Sequence, residues 1–417
     1  MAVGGAAGAP SVAGVQPRDV AVVGAGPAGA AAAITLARAG RPVTLVDKAS
    51  FPRDKICGDG LTTGALRLLE GLGLRPDDVA SWQRVDDVVV RSPSGVEALF
   101  PMPRDRGTYA AVTRRADLDA ALVDLARRSG VKVVEGHACT GVTEDADGAT
   151  VAVEGHGDLR VAWVVAADGM WSPVRKSLGL ATPGYRGEWH AFRQYLTHVG
   201  PRAQRELFVW FEPDLLPGYA WSFPLPGGVA NVGFGIQRGG KVARVQEMGA
   251  IWRDLLDRPH IRAVLGADAE PEARHQAWPI PARVDDIVLA GRRTLFAGDA
   301  AAATDVLTGE GIGQALLTGV LAADAIEAGG DVAGAYTRAV HEALVADHKM
   351  SALLVRAVSH RKGVRAAVRI AGATAWTRRN FARWLFEDYP RAIVATPRRW
   401  RRGVLTGPGA YRSATEA

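Results

Sequence analysis

The feature that most restricts how this chain can fold is a short glycine-rich turn near its start, Gly24-Ala25-Gly26-Pro27-Ala28-Gly29. An apolar run at 19–23 precedes it and an alanine-rich stretch at 28–39 follows. A second apolar run at 42–46 then ends on an acidic residue, Asp47. The order reads as strand, turn, helix, strand, a single βαβ unit. The first glycine permits the tight turn, the second lets the backbone approach a pyrophosphate, and the third lets helix pack closely on strand. A pyrophosphate would sit at the positive end of the helix, and a carboxylate roughly 20 residues further on can bind ribose hydroxyls. A lone glycine turn is often only structural. Here strand, helix and acidic residue agree, so Gly24, Gly26, Ala28, Gly29, Asp47 and the adjacent Lys48 are read as a dinucleotide site.

Composition limits what else the chain can be. At 417 residues two or three structural units are expected. The two cysteines, Cys57 and Cys139, imply neither a disulfide framework nor a zinc site and suit a reducing cytoplasm. The nine histidines show no metal-ligand spacing, so no metal is expected. Residues 1–17 read as a flexible segment without the basic and apolar regions of a signal peptide. Residues 20–39 are apolar enough to mimic a membrane span, but their Gly-Pro interruption and Arg38 argue for a buried strand, turn and helix.

Net charge is +6, and its distribution is uneven. Arg378, Arg379, Arg383, Arg391, Arg398, Arg399, Arg401 and Arg402 crowd the C-terminal region, with Trp376, Trp384 and Trp400 among them. Two readings stand: a peripheral surface that meets anionic lipid headgroups, and a solvated helical face. Nucleic acid is not expected, since no recognition motif accompanies the arginines.

Further α/β pieces follow along the chain: a helix at 118–129, a strand at 131–135, and a hairpin of strands 150–154 and 159–166. Residues 208–211, 219–223 and 229–236 read as an antiparallel sheet. A short strand at 293–297 precedes a helix near 313–328, and from 334 onward the chain reads as helical. The expected layout is a discontinuous nucleotide-binding domain at 18–180 and 285–335, a β-sheet substrate domain at 181–284, and a basic helical region at 336–417.

Two further motifs carry a resemblance. Ala167-Asp168-Gly169-Met170-Trp171-Ser172-Pro173-Val174-Arg175 resembles the Asp-Gly motif of the flavin hydroxylase superfamily, although a strand-to-helix turn capped by Ser172 is the bland alternative. Gly298-Asp299-Ala300-Ala301, followed by Thr308-Gly309-Glu310-Gly311-Ile312-Gly313, resembles its second FAD fingerprint. The resemblance implies FAD held by Asp168, Gly169, Gly298, Asp299, Gly309, Gly311 and Ile312. The ribityl chain would lie at Asp299, and the helix-start amides would face the flavin pyrimidine.

The segment Phe51-Pro52-Arg53-Asp54-Lys55-Ile56-Cys57-Gly58-Asp59-Gly60-Leu61-Thr62 closely resembles one of the geranylgeranyl reductase family. So do Tyr219-Ala220-Trp221-Ser222-Phe223-Pro224 with Asn231-Val232-Gly233-Phe234-Gly235, and Arg115 ahead of Leu118-Asp119. The likeness implies a doubly wound α/β FAD domain of the hydroxylase type with an inserted antiparallel sheet. It also implies reduction of prenyl double bonds by hydride from reduced flavin. Arg53, Cys57, Gly58 and Arg115 would lie near the cofactor, and Cys57, Tyr219 and Trp221 near the reaction. Cys57 also fits as a small packing residue. Tyr219, Trp221 and Phe223 alternate along a strand and so share one face, lining either an apolar tunnel or the core of the sheet. One departure is Asp305-Val306-Leu307, where many relatives have Asp-Pro-Phe. An FAD monooxygenase acting on an apolar natural product is the second reading, with a flavin halogenase and a non-catalytic carrier behind it. No second nicotinamide-type turn is seen, so the electrons would come from transiently bound NAD(P)H, a ferredoxin or a separate reductase.

Overall fold

The computed structural model describes residues 19–239, 245–400 and 405–412. The expected flexible segment 1–17, together with Arg401 and Arg402, lies outside them.

The sequence order strand, turn, helix, strand becomes the centre of a five-stranded parallel sheet. Its strands run Thr294–Phe296, Trp163–Ala166, Val20–Val23, Val43–Asp47 and Lys132–Glu135 across the sheet. The middle strands are apolar along their length because both faces are covered, one by helices and the other by the three-stranded sheet of Cys139–Glu144, Ala149–Val153 and Leu159–Val161. The helix Pro27–Arg38 buries Ala30 to Ala33 completely. Its small side chains let the helix Ile312–Ala328 come close. A Cβ at Gly319 would lie 2.1 Å from the carbonyl oxygen of Ala28.

The second large element is an eight-stranded sheet. Trp189–Thr197 pairs with Val229–Gln237, Glu270–Pro271 and Gln276–Ile280. Beyond Val229–Gln237 the order continues through Ala220–Leu225, Leu207–Trp210, Asp87–Arg91 and Glu97–Pro101. Two of these strands come from before residue 181, so the segment 181–284 does not build the sheet alone. The junction with Asp87–Arg91 is also parallel, not antiparallel.

The expected single strand 159–166 is two strands in two sheets. Leu159–Val161 pairs antiparallel with Ala149–Val153, whereas Trp163–Ala166 enters the parallel sheet beside Val20–Val23. One straight strand cannot serve both ladders. The chain bends at Ala162, whose amide donates to the Asp19 carbonyl at 2.9 Å. The C-terminal region is helical, with Ala346–Val358, Arg361–Ala371 and Ala375–Leu385 packed in succession. Among the described residues no helix is long and apolar enough to cross a membrane.

Candidate active site

The carboxyl ends of the parallel strands open onto a cavity of about 1110 Å³, bounded on its other sides by the large sheet and the C-terminal helices. Such a crevice is where open α/β sheets bind ligands, and its size exceeds that of most single-ligand pockets, about 300–1,000 Å³.

The first turn is sterically committed to glycine. Gly24 has φ +98°, and a Cβ there would sit 2.3 Å from the Ala167 carbonyl oxygen. A Cβ on Gly29 would lie 1.7 Å from the Gly24 carbonyl oxygen. Gly29 packs the helix and does not line the cavity, whereas Gly24, Gly26 and Ala28 do. Gly26 caps the helix without a side-chain hydrogen bond, and no acidic residue occupies the first turn. The first-turn amides and the positive helix end are therefore left for an anion.

Two guanidinium groups reinforce this end. A Cβ at Gly26 would be 3.7 Å from Arg53 Nη2 and 3.8 Å from Arg115 Nη2. The fully buried carboxylate of Asp119 holds both, accepting from Arg53 Nη1 at 2.7 Å and from Arg115 Nε and Nη2 at 2.9 and 2.8 Å. Burial pulls the Arg115 pKa down, but Asp119 more than offsets it and the group stays charged. Two arginines against one carboxylate leave a net positive site, which suits a pyrophosphate. Asp47 accepts from the Ala25 amide at 2.7 Å and the Ala49 amide at 2.8 Å. Its carboxylate still has acceptor capacity facing the cavity that it lines. Lys48 is exposed at the cavity edge. These features fit a dinucleotide.

The second and third motifs close on each other. Asp168 Oδ2 accepts from the Ser172 hydroxyl at 2.8 Å and the Val174 amide at 3.0 Å, and Ser172 caps Pro173–Ser177. The other oxygen, Oδ1, is buried without a partner in the cavity wall. So Ser172 is a cap, as the bland alternative had it, while Asp168 keeps an unused acceptor. Gly169 (φ +82°) lines the wall beside it. Arg175 links this motif to the next by donating from Nη2 to the Ala300 carbonyl at 2.7 Å.

Gly298 (φ +61°), Asp299, Gly309 (φ +71°), Gly311 and Ile312 all line the cavity. The amide of Gly313 is taken by Glu310 Oε1 at 2.5 Å. The amides of Gly311 and Ile312 donate to no described residue, so these two remain to face a ligand. At the departure Asp305-Val306-Leu307, Asp305 makes its own turn. Its Oδ1 accepts from the Leu307 amide at 3.0 Å and from the Thr308 amide and hydroxyl, each at 2.8 Å.

Beyond the turn lies Cys57, whose Sγ accepts from the Asp59 amide at 3.3 Å. Burial raises the thiol pKa, although Arg115 opposes this. Asp59 has a left-handed backbone, φ +66°, and is fully buried. Its Oδ2 accepts from Tyr195 Oη at 2.6 Å and Asn231 Nδ2 at 2.8 Å, while Oδ1 has no partner. Burial pushes its pKa up to about 6, against the pull of those donors and of Arg193. Asn231 also donates to the Cys57 carbonyl at 2.9 Å and accepts from Trp221 Nε1 at 3.0 Å.

Trp221 thus orients Asn231, which pins the Cys57–Asp59 turn. Room for the indole comes from Gly233, where a Cβ would lie 2.4 Å from the ring. Tyr219, Trp221 and Phe223 share one face, with successive ring centroids 6.1 and 6.0 Å apart. Phe223 lies on Gly58 and Gly60, and Tyr219 donates to the Thr308 carbonyl. The same cavity continues between these rings and the apolar side chains of Leu354, Val358, Val368, Phe381 and Trp384.

Several residues here escaped the sequence reading: Asp59, Tyr195, Asn231, Arg193 and Lys55. Lys55, Asp59 and Asn231 stand inside quoted motifs, which was signal enough to suspect them. Lys55 is held over the Trp278 ring at 4.0 Å, and its pKa is lowered by burial. Arg383 and Arg391, read as part of a basic surface, are buried and paired. Arg383 pairs with Asp388, and Arg391 with Asp305 at 3.4 Å and Glu387 at 3.0 Å. Arg399 pairs with Asp347 at 2.9 Å. A guanidinium with an internal carboxylate cannot also serve an outer surface.

Comparison with known proteins agrees with this geometry. The model of a family described as "FAD binding domain" matches residues 18–328. The menaquinone reductase of Mycolicibacterium smegmatis is 36% identical over 336 residues, 75% of this chain and 77% of that protein. Digeranylgeranylglycerophospholipid reductase 1 of Methanopyrus kandleri is 32% identical over 320 residues, 74% and 80% of the two chains. The crystal structure of a geranylgeranyl bacteriochlorophyll reductase-like protein from Thermoplasma acidophilum superposes with TM-score 0.75 at 21% identity, covering 92% of this chain and 99% of that one. The flavin-dependent halogenase CmlS superposes with TM-score 0.65 at 23% identity, over 87% and 67% of the two chains. At such identities the structural matches speak for the fold alone. The anion-seeking helix end, the two unengaged amides at the second turn and the sequence relatives lead to one place: this chain belongs to the FAD-binding-domain family of flavin-dependent oxidoreductases.

Proposed function

We propose that this enzyme reduces an isolated carbon–carbon double bond in the prenyl chain of a lipid, of the menaquinone or geranylgeranyl type. The observation that carries it is the continuity of one cavity. A polar, positively charged end built from the first turn, Arg53 and Arg115 passes by Cys57 into a sleeve of aromatic and aliphatic side chains. The names of the two sequence relatives support the same substrate class.

Arg53, Arg115 and the first-turn amides would hold the pyrophosphate, Asp47 the ribose, and Asp168 and Asp299 the remaining hydroxyls. The Gly311 and Ile312 amides would face the ring. FAD, bound and reduced there, supplies the hydride for one alkene carbon. The other carbon needs a proton, because an isolated alkene is a poor electrophile. Cys57 is the proton donor in this reading: burial keeps its thiol protonated, and Asn231 and Asp59 fix its turn. The aromatic face of Tyr219, Trp221 and Phe223 orients the chain and excludes water. Electrons come from NAD(P)H or from a separate carrier, and anaerobic bleaching of the flavin by NADPH alone distinguishes them.

The test is reoxidation. Photoreduced enzyme mixed without air with a menaquinone whose headgroup is already reduced should regain its yellow colour at the rate of substrate loss. Flavin that stays reduced, with the lipid unchanged, would remove the proposal.

A further inference from the structure

We propose that the rim of the cavity, at the turn between helices Arg361–Ala371 and Ala375–Leu385, docks onto an anionic lipid bilayer. Ile370 and Trp376 stand on either side of this turn. Both line the cavity, yet they are 69% and 68% exposed. A large apolar side chain that both lines a cavity and faces water marks its mouth, and a soluble surface seldom leaves two together without a use. Trp is also the side chain favoured where water meets lipid.

The stretch of chain that forms this mouth carries charge of one sign. Between Asp347 and Glu387 the chain contains no Asp or Glu, while Lys362, Arg365, Arg369 and Arg379 all fall there. These four are exposed, and none forms an ion pair among the described residues. Arg361, which faces Asp214, is not counted with them.

Helix geometry places charge and apolar anchor together. At about 100° per residue, Lys362 and Arg369 lie roughly 80° and 100° around the helix from Ile370. Val364, Val368 and Ala371 occupy the buried side. A flat surface resting on this helix therefore meets Ile370 and the two cations at once, the arrangement of an interfacial helix on acidic headgroups. The arginines turned inward, Arg383, Arg391 and Arg399, take no part. The inference rests on the prenyl-lipid reading only for what leaves the bilayer, since a mouth opened against headgroups would let an insoluble chain enter without crossing water. The docking itself is read from charge and exposure.

Sedimentation with vesicles tests it. The FAD-loaded protein should bind phosphatidylcholine vesicles containing phosphatidylglycerol, bind pure phosphatidylcholine far more weakly, and be released by salt. Each basic residue near such a surface contributes roughly fivefold in affinity. The K362E/R365E/R369E variant should thus bind at least tenfold more weakly, with unchanged melting temperature and flavin absorbance. If that variant fails to fold, R379E with a salt titration replaces it, and a loss of several-fold is expected. Equal binding to both vesicle types, no binding by the parent protein, or an unweakened variant would overturn the docking surface. Lipid reduction in detergent micelles separates the two proposals: turnover without vesicle binding counts against docking alone, and vesicle binding without turnover counts against the proposed reaction alone.

Discussion

Replacing Arg391 with methionine removes a buried cation held between two carboxylates. Arg391 is 4% exposed and sits between Asp305 Oδ2 at 3.4 Å, Glu387 Oε1 at 3.0 Å and the Thr308 hydroxyl at 3.0 Å. Solvent does not screen this cluster, so the cost is that of breaking a buried pair, about 3–5 kcal/mol. Unfolding entropy for a chain this long is about 0.9 kcal/mol per degree, and the variant should therefore melt roughly 3–6 °C lower.

The pH dependence has a definite sign. Burial raises the Asp305 pKa, but Arg391, Ser351 and Thr308 together bring it below its ordinary value. A depressed carboxyl stabilises the fold above its unfolded pKa and loses that contribution as pH falls. Without Arg391 burial dominates, the pKa rises above the unfolded value, and the penalty is relieved once Asp305 protonates. The gap in melting temperature between parent and R391M should be widest near pH 8 and narrow toward pH 5. FAD should also bind more weakly, because Asp305 and Arg391 shape the turn through Thr308. Differential scanning fluorimetry across pH measures the gap. A variant within a degree of the parent at pH 8, or a gap that widens in acid, would refute the reasoning.

Other outcomes follow from the same geometry. Gly24→Ala must relieve a 2.3 Å contact at φ +98°, so the protein should purify with most of its FAD absorbance lost; full occupancy would disprove the close-approach role of this turn. Asp59→Asn keeps an acceptor for Tyr195 and Asn231 but cannot ionise. Because the Asp59 pKa is raised to about 6, the parent loses stability as pH climbs from its unfolded value through 6. Relative to the parent, D59N should gain up to about 3 kcal/mol over that window, read by urea unfolding at pH 4.5 and 7.5; no relative change would show that Asp59 is not strained by burial. Cys57→Ser should lower turnover at least tenfold with FAD affinity unchanged if the thiol delivers the proton, whereas unaltered turnover would make Cys57 a packing residue.

Much of the FAD domain was legible because its constraints are local. Gly24 and Gly29 announce a turn whose sterics only glycine meets, and the neighbouring apolar runs have nothing to do but form buried strands. The large sheet was less legible. Trp189–Thr197 is its most connected strand, yet Arg193 and Gln194 interrupt the apolar pattern. Both are buried because distant partners satisfy them: Asp54 for Arg193 at 2.9 Å, and Ala273 and Trp252 for Gln194. The bend at Ala162 was hidden for a similar reason, since residues 159–166 look like one strand until two different sheets claim the halves.

The same rule applies at the site. The glycines and aromatic rings could be read from their spacing, but the support of Cys57 could not. It runs from Trp221 through Asn231 to Asp59, across 174 positions between Asn231 and Cys57. The C-terminal arginines carried the weakest signal, because a run of like charges says nothing of which members find internal carboxylates.

Product mass tests the central claim most directly. Enzyme with reduced flavin should be mixed without air with an extract of prenyl lipids and menaquinones whose headgroups are already reduced, and a parallel sample given NAD(P)H and oxygen. The account predicts a lipid that gains two hydrogens in the anaerobic sample. A lipid that gains one oxygen, and only in the aerobic sample, would contradict it and make this family member a monooxygenase.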